Sequence, residues 1–155
     1  MTDFGLYRER FAESGLHVLE CAVNESRRRQ QNYLSLGHIL KALLTEEPVT
    51  FNQTFTDLHI DPPLTEEFLD MVIASSPNHK GVGIRISPQV TWLFRNAIKV
   101  ARSDGRERIE SVDLLSGFVR GLKAGAPWLG ERKNAARIGL AFIPASQPYF
   151  YVIRL

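Results

Sequence analysis

Residues 34–44 read LSLGHILKALL, and this stretch decides the fold of the chain. Its apolar residues recur at three- and four-residue spacing, which places them along one face of an α-helix. Ser35 stands directly before the run, where a serine hydroxyl can accept a hydrogen bond from the unpaired backbone N–H groups at the start of a helix. The stretch therefore predicts an amphipathic helix that is capped by Ser35 and buries its apolar face.

The same pattern occurs again about 75 residues later. Residues 111–119 read SVDLLSGFV, so that Ser111 corresponds to Ser35 and Val112 corresponds to Leu36. We therefore expect a second helix that is capped by Ser111 and carries an equivalent buried face.

The match continues upstream of both helices. Residues 11–22 align with residues 86–97, which pairs Phe11 with Ile86. The offset drifts by one residue between the upstream and the downstream match. Self-similarity at a fixed period is typical of repeated structural units. The sequence therefore predicts an all-α fold with two four-helix units related by a pseudo-twofold rotation, of which the second is truncated or diverged.

Composition fits one compact domain. Of the 155 residues, 44% are hydrophobic and 23% are charged, which is enough for one core and too little for two enzymatic domains. The apolar runs are shorter than a membrane span, and the N-terminus lacks the pattern of a signal peptide. We expect a cytoplasmic protein in which Cys21, the single cysteine, is a small buried side chain.

The double repeat is predicted to cover residues 1–140. Its first unit, at about residues 8–75, has predicted helices over 11–28, from Ser35 to a stop at Pro48, over 51–58 and over 64–73. An exposed linker follows.

The second unit is predicted at about residues 84–140. It starts with Ser87 as the cap and Pro88 as the first helical residue. Its predicted helices run to about residue 102, over 111–122 and over 127–140. Aromatic and β-branched residues at 149–153 predict an extended C-terminal tail over residues 141–155.

The run at residues 33–44, together with the paired residues 18–22 and 93–97, makes the chain resemble the double-repeat N-terminal domain of Clp-type AAA+ unfoldases. Each repeat of that family carries a pattern like [ST]-x-E-H-[LI]-L-x-[AG]-L-L. The resemblance covers about residues 11–122. It implies a non-enzymatic docking domain that binds protein substrates, adaptor proteins or a Clp-type ATPase partner. From the sequence we expect no cofactor and no membrane contact.

Two positions differ from the family pattern. Gly37 stands where the first copy has its glutamate, and Leu114 stands where the second copy has its histidine. In some family members one acid from each repeat contacts phosphorylated arginine on tagged substrates. The resemblance leaves Asp113 as the one candidate for that contact.

The sequence contains no phosphate-binding loop of the form G-x-x-x-x-G-K-[ST]. The resemblance therefore implies a domain without ATPase modules, either free-standing and adaptor-like or detached from a longer product. We predict no catalytic turnover and no nucleotide binding.

Histidine and cysteine spacing predicts no metal site. His17, His38, His59 and His79 lie on different predicted elements, and no His-x3-His or Cys-x2-Cys pair occurs. A thiol–imidazole pair of Cys21 and His38 is the enzymatic alternative, but no local signature supports it. His38 is predicted to cap or pack in the first turn of its helix.

Trp92 and Phe94 are candidate contacts for a partner. Residues two apart on a helix point in nearly opposite directions, so one of these aromatic side chains is predicted to be exposed. An exposed aromatic is a typical anchor for a partner segment, and packing against the other repeat is the alternative explanation. We expect a partner to bind at the groove between the two repeats.

Basic residues support a second functional hypothesis. Arg27, Arg28 and Arg29 lie where the first helix is predicted to end, where they favour the helix dipole and could also select a partner's charge. Nucleic-acid binding would use this run with Arg102, Arg106, Arg108, Arg132, Lys133 and Arg137. Interleaved glutamates and a net charge of only +2 argue against that alternative.

Overall fold

The computed structural model describes residues 8–56, 64–76, 78–123, 139–142 and 151–154. After a 3-10 turn at Arg8–Arg10, these residues form α1 (Glu13–Arg28), α2 (Leu36–Glu46), α3 (Pro48–Thr56), α4 (Glu66–Ala74), α5 (Pro88–Ser103) and α6 (Ser111–Lys123). The strands are β1 (Tyr33–Leu34), β2 (Arg85–Ile86), β3 (Gly139–Phe142) and β4 (Tyr151–Arg154). The predicted all-α fold class is confirmed.

Local signals set the helix boundaries in the first unit and at the start of the second. Ser35 is the N-cap of α2, which ends at Glu46, two residues before the proline that begins α3. Ser87 Oγ accepts a hydrogen bond from Val90 N at 3.2 Å at the start of α5, as predicted for its cap. These boundaries follow from capping and proline chemistry that acts over a few residues.

Short backbone pairings join the two units. Leu34 pairs with Ile86 where β1 and β2 run parallel, and Phe11 pairs with Ile109 in a parallel bridge. Phe11 and Ile86 are 75 residues apart, and so are Leu34 and Ile109. The same contact therefore forms twice with the roles of the units exchanged. A twofold rotation would produce this arrangement, and superposition of the complete units stays a prediction.

Gly15 lets α1 come close to the second unit. A Cβ at residue 15 would lie 2.2 Å from the backbone oxygen of Ile109. That oxygen accepts a hydrogen bond from Ala12 N at 2.8 Å. A larger residue at position 15 would therefore push the bridge between the units apart.

The predicted alignment of the two second helices is wrong by one residue. Helix α6 begins at Ser111, so Glu110 holds the position before the helix that Ser35 holds in the first unit. Ser111 instead links the units, because its N–H donates to Ser14 Oγ at 3.1 Å and its Oγ donates to Glu47 at 2.8 Å. Both stretches contain a serine near the start of the helix, and this match suggested the shifted alignment. The position of Ser111 inside α6 and its contacts with Ser14 and Glu47 contradict that alignment.

The one-residue shift changes which apolar side chain is buried. Val112, predicted to match Leu36, is 40% exposed, whereas Leu36 is 1% exposed. Side chains from each of the described helices form the core, and α5 and α6 share the most extensive helix contact. Its fully buried members include Leu19, Leu34, Leu36, Ile39, Leu40, Leu43, Phe51, Leu93, Ile109 and Phe118. Burial of each such side chain contributes about 2 kcal/mol of transfer free energy.

The predicted tail contains β4, which pairs antiparallel with β3. Gly139 lies opposite Arg154, and Leu140 lies opposite Ile153. The helix predicted over residues 127–140 therefore does not extend to its predicted end, because pairing with a β-prone strand competes with helix formation there. Residues 127–138 lie outside the described residues.

Candidate functional site

A buried polar chain holds the start of α2. Ser35 N donates to His38 Nδ1 at 3.0 Å, so the proton of the neutral ring lies on Nε2 and is donated to Gln31 Oε1, 2.8 Å away. The pKa of His38 is lowered to about 3, mainly by burial and also by the charges of Arg29 and Lys41. Both ring nitrogens are occupied, and the ring is neutral at physiological pH. His38 therefore has a structural role in this arrangement, as predicted.

An ionic chain holds the start of α6. Glu110 N donates to Asp113 Oδ2 at 2.8 Å, and Arg106 Nη2 donates to Asp113 Oδ1 at 2.8 Å. The hydrogen bond with Asp113 is the largest contribution that raises the pKa of Arg106, with smaller ones from Asp104 and the charge of Glu110. Asp113 is 1% exposed. Its carboxylate is thus engaged below the surface, in contrast to the accessible acid that a phosphoarginine contact requires.

Two arginines of the predicted basic run belong to an ion-pair network. Arg29 binds Asp70 at 2.8 Å, and Lys41 binds the same carboxylate at 2.6 Å. Glu25, which is nearly buried, pairs with Lys41 and with both Arg28 and Arg29. The network connects α1, α2 and α4, so these cations stabilise helix packing.

The basic residues proposed for nucleic acid do not form one free face in the described residues. Arg106 is bound to Asp104 at 3.0 Å and to Asp113. Arg27, Arg102 and Arg108 are exposed. The other three candidates, Arg132, Lys133 and Arg137, lie outside the described residues.

A cavity of about 270 Å³ lies between α1 and α2, and both Cys21 and His38 line it. The Cys21 thiol donates to Glu46 Oε1 at 3.3 Å rather than to the imidazole. The pKa of Cys21 is raised to about 11, mainly by burial and also by the hydrogen bond to Glu46 and the charges of Glu46 and Glu20. The thiol is therefore protonated at neutral pH. The thiol–imidazole pair considered from the sequence is not formed in this arrangement.

Neither candidate aromatic is exposed. Phe94 is 3% exposed and meets Phe11 edge to face, with ring centroids 5.1 Å apart. The Trp92 ring is partly buried and lies so close to α6 that a Cβ at Gly121 would be 2.2 Å from it. The core covers Phe94 and α6 partly covers Trp92, so the exposed face of α5 is formed by other residues, which include Arg95, Lys99 and Arg102. Phe94 therefore has no surface for a partner, and Trp92 as a contact stays a prediction.

An apolar groove of about 410 Å³ lies between α3 of the first unit and α6 of the second. We call it the α3–α6 groove. Its lining includes Thr50 and Thr54 from α3 and Val112, Leu115, Val119 and Arg120 from α6. Val112 is the exposed apolar residue in this lining. The groove lies between the two units, where the sequence predicted partner binding, but different residues form it.

Residues 10–130 match the Clp repeat (R) N-terminal domain. The chain belongs to this family. Chaperone protein ClpB of Chlamydia trachomatis serovar D is 28% identical over 128 residues, which are 81% of this chain and 14% of that protein. Chaperone protein ClpB of Chlamydia muridarum is also 28% identical over 128 residues, with the same coverage. This chain thus spans 14% of the length of each of these relatives.

Family membership identifies a Clp-type N-terminal docking module, as the resemblance implied. Across the described residues, no helix is both long enough and apolar enough to cross a membrane.

Sequence reasoning missed two features of this Clp repeat domain. Val112 was assigned to the core because the alignment was shifted by one residue, whereas a constant offset of 75 pairs it with Gly37 instead of Leu36. His17 and Cys21 lie one helical turn apart and approach Glu46, a mixed spacing that a search for pairs of like residues overlooks.

Proposed function

We propose that this Clp repeat domain is a non-catalytic module that binds short apolar segments of other protein chains in the α3–α6 groove. The observation that carries the proposal is the exposure of Val112 inside a groove formed by helices from both units. A partner that covers this side chain, which is 40% exposed, removes apolar surface from water, and this transfer favours binding.

The groove has the pattern of a segment-binding surface. Val112, Leu115 and Val119 recur at three- and four-residue spacing, so they form one apolar stripe along α6. Thr50 and Thr54 present a one-turn repeat on the facing helix α3. The volume of about 410 Å³ falls within the range of roughly 300–1,000 Å³ that is typical of ligand pockets. The groove can therefore take side chains of a short segment, but not a folded domain.

Charge at the rim adds a preference. Arg120 is exposed where it lines the groove. A segment with an acidic residue beside its apolar side chains would complement this guanidinium, which mainly improves specificity and association rate. Arg27 is also exposed but lies outside the groove lining, so it is not part of this proposed preference. Contacts this small favour weak, reversible binding.

Protein substrates are the proposed partners, because the two relatives are named chaperones. An adaptor protein or a Clp-type ATPase is an alternative occupant of the same groove, and the proposed location is the cytoplasm. Phosphoarginine is not part of the proposal, since Gly37 carries no acid and Asp113 is bound by Arg106.

The test measures binding of peptides to the whole chain. A peptide array that tiles unfolded proteins gives the preferred segments, and fluorescence anisotropy gives their affinities. Val112→Asp should weaken binding at least tenfold, because a carboxylate would be buried under the peptide. The variant should remain folded, because residue 112 lies in the first turn of α6, where a negative charge favours the helix dipole.

Val82→Asp is the matched control, because Val82 is 96% exposed and lies outside the groove lining. This control should bind as the wild type does. Equal affinity of the two aspartate variants, or an array without apolar preference, would refute the α3–α6 groove as the binding site.

Trp92→Ala tests the residue that the sequence favoured as a partner contact. Lost binding with an intact circular dichroism spectrum and melting temperature would move the site to Trp92, and unfolding would assign Trp92 to the core.

A further inference from the structure

Three metal-ligating side chains converge at the corner between α1 and α2. His17 and Cys21 lie one turn apart on α1, and Glu46 is the last residue of α2. His17 Nε2 lies 2.9 Å from Glu46 Oε2, and Cys21 Sγ lies 3.3 Å from Glu46 Oε1. The three ligand atoms all lie within 4.8 Å of one another. We call this group the His17–Cys21–Glu46 cluster.

We propose that the His17–Cys21–Glu46 cluster is a zinc site that uses one imidazole nitrogen, one thiolate and one carboxylate, with water as the fourth ligand. Zinc bonds of about 2.0–2.3 Å in tetrahedral geometry require ligand atoms roughly 3.3–3.8 Å apart. The separations in the cluster bracket this range, so small side-chain rotations suffice. The two carboxylate oxygens of Glu46 already contact the nitrogen and the sulfur, so the three ligands are held together without a large movement of the backbone.

The charge of the cluster matches a divalent ion. Binding forms a sulfur–metal bond and releases the thiol proton to solvent, after which thiolate and carboxylate together neutralise the charge of Zn²⁺. A neutral imidazole completes the set without adding charge. Sulfur and nitrogen ligands favour zinc and similar transition metals over Mg²⁺ and Ca²⁺, which prefer oxygen ligands.

Access and location support a site at the surface. The His17 side chain is 60% exposed and the Glu46 side chain is 27% exposed, so an ion can enter and a water molecule can complete its coordination. Three protein ligands with one open position are typical of zinc sites that exchange a ligand. All three residues belong to the first unit, so the ion would connect α1 to the end of α2 there.

Cobalt(II) is the probe, because it replaces zinc and its bond to a thiolate produces a charge-transfer absorption in the near ultraviolet. The whole chain is used without a histidine tag. We expect one cobalt ion per chain, displacement by Zn²⁺, and no displacement by Mg²⁺. Cys21→Ser should abolish the charge-transfer band, whereas His17→Gln and Glu46→Gln should each lower cobalt affinity at least tenfold.

Two controls separate the cluster from general surface binding. Glu20→Gln removes a neighbouring carboxylate on α1, and His79→Asn removes a histidine elsewhere, so both should retain wild-type affinity within twofold. Added Zn²⁺ should raise the melting temperature of the wild type and of both controls, but not that of Cys21→Ser. This metal-dependent shift remains informative if a variant is less stable without metal. Absence of the charge-transfer band in the wild type, or unchanged affinity in His17→Gln and Glu46→Gln, would overturn the proposal.

Discussion

The two units hold the start of their second helices with the same geometry and different chemistry. In the first unit the third residue of α2, His38, accepts from the N–H before the helix and contacts Gln31. In the second unit the third residue of α6, Asp113, does the same and contacts Arg106. His38 and Asp113 are 75 residues apart, as are Gln31 and Arg106. One backbone arrangement thus accepts a neutral pair or an ion pair.

Solvent access accounts for the choice. Gln31 is 4% exposed, whereas the Arg106 side chain is 30% exposed and also reaches Asp104 at the surface. Ionised groups without water lose more solvation energy than their pairing returns, so a charged pair is favourable only where one partner stays hydrated. Position within the unit therefore selects the geometry, and local hydration selects the chemistry.

Lowering the pH should produce the largest difference in stability between the two units. The pKa of His38 is lowered to about 3 in the folded state, whereas the unfolded value is 6.5. The unfolded chain therefore binds the proton first, and the stability contributed by His38 is complete above pH 6.5 and is lost as pH falls toward 3. From pH 7 to pH 4 the free energy of unfolding should fall by about 3 kcal/mol through this residue.

Urea unfolding at several pH values measures this loss. His38→Gln should remove this part of the pH dependence, and His79→Asn should keep it. In hydrogen-exchange measurements at pH 4, the amides around Ser35 should lose protection before those around Glu110. An unchanged pH dependence in His38→Gln would contradict the assignment of the acid sensitivity to the first unit.

Removal of the acid from the second unit should have the next largest effect. Asp113→Ala deletes the acceptor for Glu110 N and for Arg106, and hydrogen bonds to a charged group contribute about 2 kcal/mol in net stability. We expect a loss of that size, measured by urea unfolding at pH 7.

Asp104→Ala is the matched control for this change, because Asp104 binds the same guanidinium at the surface. That substitution should have a much smaller effect, as surface ion pairs contribute little. Equal losses in the two variants would show that Arg106 rather than the helix start carries the energy.

The turn after the first helix of each unit gives the smallest expected effect. Gln30 (φ 57°) and Gly105 (φ 75°), also 75 residues apart, both have a left-handed backbone. Gly105→Ala should destabilise the fold by about 1 kcal/mol, and Gln30→Gly should stabilise it by a similar amount, because a Cβ is strained in this conformation.

A Cβ at residue 105 would meet no atom within 4 Å. The effect of Gly105→Ala on stability therefore reports backbone strain and not a steric clash. Shifts in the midpoint of urea unfolding measure both variants. The same sign of effect in both would contradict the equivalence of the two turns.

Sequence alone determined the features that depend on neighbouring residues. Ser35, Ser87 and Pro88 marked helix starts, and the apolar spacing identified the helices, because capping and amphipathicity act within a few turns. The repeat and the family resemblance followed from the same local patterns. These signals were sufficient for the fold class and for the docking module.

Tertiary structure alone decided which side chains meet and which stay at the surface. Ser111 links the units instead of capping α6, and Val112 lies in the α3–α6 groove because contacts across the units set the register. Phe94 is buried on the side of α5 that meets Phe11. The aromatic residue type therefore did not predict whether this side chain is exposed to a partner. Burial and ligand geometry arise from residues far apart in the chain, and a local pattern contains no information about such distances.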